Sequence, residues 1–117
     1  MMRDVDKYCA SERMKTLLIL SSSIILWYDS FLKGGREPGG MDVLLWLLDY
    51  IGNEASLISA TTSSTILRHA TSIFREAEEK VATGDLENAV RKISEALSRV
   101  TTQADYSLRK LEKKSED

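Results

Sequence analysis

The sequence predicts an all-α protein, an antiparallel up-down four-helix bundle, and three observations carry that expectation. Apolar residues recur at alternating steps of three and four along most of the chain, the repeat that places them on one face of a helix. Glycine, proline and short hydroxyl side chains gather between those periodic stretches, where they end helices. No run alternates apolar and polar residues as a half-buried strand would. Short connections make successive helices antiparallel neighbours. The 117 residues are expected to form one domain, residues 1–117, with residues 1–10 as an N-terminal segment, 34–40 as a glycine-rich loop and 114–117 as a polar tail.

The first helix is expected over residues 10–33, with Met14, Leu17, Leu18, Ser21, Ile24, Ile25, Tyr28, Phe31 and Leu32 on its apolar face. Gly34, Gly35, Pro38, Gly39 and Gly40 cannot continue it, because glycine loses backbone entropy in a helix and proline lacks the donor. The second helix is expected over 41–59. Eight of the nine residues from Val43 to Ile51 are large and apolar, and their leucine content favours helix over strand. Gly52 is expected to bend or end this helix before Glu54–Ala60 continues it. A helix apolar on every side must be covered on every side. Two covers are open: residues 1–12, with Val5, Tyr8 and Cys9, folded back over the helix, or a second copy. The favoured expectation is a symmetric homodimer with Leu44, Trp46, Leu47 and Leu48 at the interface.

The Thr/Ser run Thr61–Thr65 separates the second helix from a third over 64–82, whose apolar face is Ile66, Ala70, Ile73, Phe74, Ala77 and Val81. Gly84 suits the left-handed position after that helix, and Asp85 suits the cap of a fourth over 85–113. The fourth helix carries a stripe of Leu86, Val90, Ile93, Leu97, Val100, Ala104 and Leu111, interrupted only at Ser107. Ile93 and Leu97 are expected in the core.

Composition excludes many chemistries. One cysteine and one histidine leave no disulfide framework, no cysteine-based zinc cluster and no two-histidine motif. A lone thiol suits a reducing compartment, so a cytoplasmic location is expected. The apolar run Thr16–Tyr28 would span about 20 Å, short of a ~30 Å hydrocarbon core. Acidic Asp4, Asp6 and Glu12 precede it and no small-residue cleavage site follows, so neither a membrane span nor a signal peptide is expected. His69 has no acid four residues away to orient it as a base, and Cys9 has no adjacent base. Glu76, Glu78 and Glu79 lack the Glu-x-x-His pattern of helical metal sites, and Glu76–Lys80 reads as a surface ion pair. The loop at 34–40 ends in Gly-Met-Asp, without the Gly-Lys-Ser/Thr of a phosphate-binding loop. No catalytic, metal or cofactor residues are assigned, and the chain is expected not to be an enzyme. Net charge is −2, but residues 91–114 hold seven basic side chains against three acidic ones. Lys92, Arg99 and Lys113 share a stripe that would contact phosphate in a nucleic acid, although the missing interleaved aromatics favour a merely solvated face.

The hairpin from Leu67 to Leu111 carries Ala70, Ala77, Gly84-Asp85-Leu86, Ala89 and Ala96. This pattern resembles small archaeal helical families of unknown function that are loosely similar to HEPN domains, themselves four-helix up-down bundles. It also looks like the hairpins of microtubule-interacting-and-trafficking domains and of tetratricopeptide repeats. Nuclease-type HEPN domains carry an arginine and a histidine separated by four to six residues. Here Thr62, Ser63 and Ser64 stand where the arginine would be. The resemblance therefore implies a non-catalytic partner subunit rather than a ribonuclease, and a trafficking-type likeness implies a groove that holds a partner helix. The expectation is a non-enzymatic helical interaction module that self-associates or docks a protein partner. The alternative is a nucleic-acid- or nucleotide-associated accessory subunit using the basic face of the last helix.

Overall fold

Each stretch of three–four spacing closes into one helix in the computed structural model, which describes residues 4–33, 40–62 and 64–116. Helix α1 spans Asp4–Lys33, α2 Met41–Thr62, α3 Thr65–Ala82 and α4 Leu86–Glu116, with no strand among the described residues. Helix α1 packs on α2 and α4, and α3 packs on the same two, so α1 and α3 occupy opposite corners of a four-helix bundle. Neighbours run antiparallel. Asp4, at the start of α1, acts on Lys110 near the end of α4, and Ser64, ahead of α3, reaches Gln103 on α4. Arg75 of α3 bonds Asp49 and Asn53 of α2, while Thr71, one turn earlier, donates to the carbonyl of Ala55.

Two boundaries differ from expectation. Helix α1 begins at Asp4 rather than near residue 10, because Asp4 and Asp6 in its first turn complement the helix dipole. Helix α4 runs on to Glu116, through residues expected as a frayed tail, since lysine and glutamate are good helix formers. The glycine-rich loop lies outside the described residues from 34 to 39. Gly40, at its end, has φ +89°, which suits a residue without Cβ, and its carbonyl accepts the Leu44 amide at 2.9 Å.

The core is built from one seam per helix. Ser11, Met14, Leu18, Ser21, Ile25 and Tyr28 face inward from α1, and Leu67, Ala70, Phe74, Ala77 and Val81 from α3. Helix α4 contributes Leu86, Ala89, Ile93, Ala96, Val100, Gln103 and Ser107 at strict three–four steps. This seam is rotated from the expected stripe. Ala89 and Ala96 are fully buried, whereas Val90 and Leu97 are half-buried at its edge. Small residues let helix axes approach, so they take the centre of the contact and the longer side chains flank it. Leu97 is thus a flanking residue and not the core residue expected.

A polar layer closes one end of the four-helix region. Ser64 donates to the Gln103 Oε1 at 3.3 Å, and the Gln103 Nε2 donates to the Ser107 hydroxyl at 2.8 Å. Ser64 also caps α3, accepting the Leu67 amide at 3.2 Å. Beyond that height α4 continues past the α2–α3 connection beside α1 alone. Tyr106 and, across the helix pair, Asp4 hold the Lys110 ammonium above its usual range.

The α3–α4 turn follows its expected chemistry. Gly84 sits at φ +82°, its amide donates to the Val81 carbonyl and the Asp85 amide to the Lys80 carbonyl, the paired bonds of a Schellman ending. Asp85 then caps α4 by accepting the Asn88 amide at 3.3 Å, and the Asn88 side chain holds its carboxyl below the usual range.

Two predictions follow from these contacts. Ile93 is 1% exposed, so Ile93→Ala should cost about 2–5 kcal/mol in urea unfolding, and Leu97→Ala should cost less than Ile93→Ala. Equal losses at the two sites would mean that the seam is not rotated. The lowered Asp85 carboxyl stabilises the fold above its unfolded pKa and stops doing so as pH falls through the folded value. Asp85→Ala should therefore lower the melting temperature at neutral pH, and the gap to the parent should shrink on acidification below the carboxylate range. A gap independent of pH would show that the carboxylate is not the cap.

Candidate interaction surface

Helix α2 carries two three–four seams. The inner one, Leu44, Leu48, Ile51, Ala55, Ile58 and Thr62, is buried in the chain's own core. The outer one, Val43, Trp46, Tyr50 and Leu57, is exposed, with Asn53 keeping the step. Helix α1 repeats this double character. Outside its buried seam, Ile19, Leu20, Leu26 and Trp27 stand in solvent. The two helices meet at an apolar groove of about 280 Å³ walled by Ile24, Trp27, Tyr28, Val43, Leu44 and Leu47, with Gly40 at its end.

The opposite flank of α2 is closed by α3. The Arg75 guanidinium lies across α2 at Gly52, donating to Glu78 Oε1 at 2.7 Å, Asn53 Oδ1 at 2.8 Å and Asp49 Oδ1 at 3.2 Å. A Cβ on Gly52 would collide with that guanidinium and with the Glu78 carboxylate. Helix α2 therefore does not end at Gly52; the glycine makes room for a side chain from the neighbouring helix. Burial pushes the Glu78 carboxyl up, against the opposing pull of Arg75. The same network pairs Asp49 with Arg75, and no charged residue occurs on α1 from Thr16 to Tyr28, so the acids left beside the outer seam of α2 are Asp42 and Glu54.

The four expected interface residues separate. Leu44 and Leu48 are 3% and 1% exposed and serve the intramolecular core, Leu47 is half-buried in the groove wall, and Trp46 is 68% exposed. Leu44 and Leu48 are corrected from interface to core, because α2 directs its inner seam at its own neighbours. The alternative cover is also placed: the first turns of α1 run beside α4, where Asp4 meets Lys110, and not over α2. Sequence reasoning did not single out Leu20, Trp27, Val43, Tyr50 or Leu57. The signal for Leu20 and Trp27 lay in the 16–28 run and that for Val43 and Tyr50 in the 43–51 run, where apolar residues occupy more of the helix than one seam can bury.

The other candidates stay dispersed. Lys92 is bridged to Glu76 at 3.3 Å and Glu95 at 3.8 Å, while Arg99 and Lys113 are exposed further along α4. Glu76 thus pairs across to α4 and not with Lys80, because α3 and α4 lie side by side. Exposed pairs of this kind contribute ~0–1 kcal/mol. Cys9 is exposed on α1 and His69 on α3, at opposite corners of the bundle. Among the described residues no group of three or more His, Cys, Asp or Glu could hold a metal ion, and no helix is long and apolar enough to cross a membrane.

This division of α2 predicts opposite outcomes at adjacent heptad positions. Leu48→Ala should cost about 2–5 kcal/mol in chemical unfolding, whereas Trp46→Ala, measured in dilute solution, should stay within about 0.5 kcal/mol of the parent. A large loss at Trp46 in the dilute chain would show that the outer seam is packed internally.

Comparison of the chain with protein-family models, with curated proteins and with solved structures gave no match.

Proposed function

We propose that this chain is a non-enzymatic helical interaction module whose working surface is the α1–α2 face. One observation carries the reading: two tryptophans are each 68% exposed, Trp27 in the wall of an apolar groove and Trp46 one turn from the wall residue Val43. Contiguous exposed apolar surface of this kind marks interaction sites on folded proteins, and aromatic side chains dominate the energetics of such sites. The face suits a second apolar helix surface, either a copy of this chain or a partner helix laid along the groove. Catalysis draws no comparable support, since His69, Cys9 and the α3 glutamates are not brought together. The reading as a nucleic-acid accessory subunit is weakened at Lys92, whose ammonium is occupied by two carboxylates.

The test compares the parent chain with a Leu20→Glu/Trp46→Glu double variant, both shown to be helical by circular dichroism. Solution mass and binding of a short amphipathic leucine–lysine peptide are measured. The parent should either self-associate or, as a monomer, bind the peptide with a blue shift of tryptophan emission. The double variant should do neither. A parent chain that does neither, or a double variant that retains either behaviour unchanged, overturns the reading.

A further inference from the structure

Resting on that reading, we infer that the occupant of the α1–α2 face is a second copy of this chain, related by a two-fold axis, with Trp46 of each copy seated in the groove of the other. Three features of the face point to its own copy.

The first is area. The three aromatic side chains Trp27, Trp46 and Tyr50, at ~150–250 Å² each and roughly two-thirds exposed, offer on the order of 400 Å². That is about half of the ~800 Å² each partner buries in a stable interface, and Leu20, Val43 and Leu57 extend the same face toward the remainder.

The second is charge. A two-fold axis pairs each residue of a patch with the same patch on the copy, so a patch with one sign of charge repels itself. This face reduces that conflict, because Asp49 is paired with Arg75 and α1 carries no charge from Thr16 to Tyr28, which leaves Asp42 and Glu54 as the acids beside the outer seam.

The third is shape. A two-fold contact requires the protruding group and its receptor on one surface. Trp46 projects from the outer seam of α2 one turn beyond Val43, which is itself a wall of the groove, so both elements lie side by side. The groove walls are aliphatic and aromatic, suited to an indole ring. The outer seam of α2 has the three–four spacing by which helices interlock side chains.

The test follows solution mass by sedimentation equilibrium from low to high micromolar chain, for the parent and for Trp46→Ala and Leu20→Glu. Trp27→Phe leaves Trp46 as the sole indole and reports its burial. The parent should be dimeric. Each of the two interface variants should weaken the dimer at least about tenfold, equivalent to ~1.4 kcal/mol, with helicity retained. The emission of Trp27→Phe should move to the blue as its mass rises. A parent chain that stays monomeric at high micromolar concentration overturns the second copy as occupant, and if that monomer binds the leucine–lysine peptide the interaction reading survives by itself. A dimer indifferent to both interface variants overturns this inference and the α1–α2 reading together. A dimer sensitive to Leu20→Glu in which Trp46 emission stays red overturns the exchange of Trp46.

Discussion

Close approach of α1 and α4 is the constraint on which the rest of the bundle depends. Both helices are long, 30 and 31 residues, and their seams repeat at the same three–four steps. Large and small side chains alternate along both buried seams, Leu18, Ser21 and Ile25 on α1 and Ala89, Ile93 and Ala96 on α4. Interiors are packed to crystal-like density, so this alternation lets the two backbones come together without voids or clashes.

The shorter helices α2 and α3 then cover only part of this long pair. Their connection ends at the height of Gln103, where Ser64 joins the layer that continues to Ser107. Buried polar groups must find partners, and these do so only in one alignment of α3 on α4. The layer therefore defines height, as the alanines define separation. It also lets α4 change along its length, from a seam facing α1 and α3 to one facing α1.

Helix α2 is held unevenly. On the α3 side Arg75 crosses it at Gly52 and gathers Asp49, Asn53 and Glu78. On the α1 side there is no equivalent crossing among the described residues, and the two helices diverge enough to leave a groove. Polar residues are thus drawn to one flank and apolar residues are left on the other. The proposed working surface follows that division: the network that fastens α2 to α3 takes up Asp49, while the face beside α1 keeps its exposed apolar side chains.

Helix number, type, order and turn chemistry were legible because they depend on local rules. Three–four spacing, the glycine at Gly84 and the cap at Asp85 act within a few residues of themselves. Which face of each helix is inward was less legible, for two physical reasons. In α1 and α2 apolar residues cover more of the helix than one seam, so the pattern does not say which apolar stripe is buried, and Leu44 and Leu48 exchanged places with the outer seam. In α4 the seam centre is taken by Ala89 and Ala96 and not by Val90 and Leu97, since close approach rewards small volume and hydropathy alone does not measure it. Gly52 looked like a helix breaker because its use lies in Arg75, which is distant in sequence. The sequence by itself determined four helices and their breaks. Only tertiary packing decided the rotation of each helix, the path of α1 along α4 and the exposed α1–α2 face, because those depend on which surfaces meet.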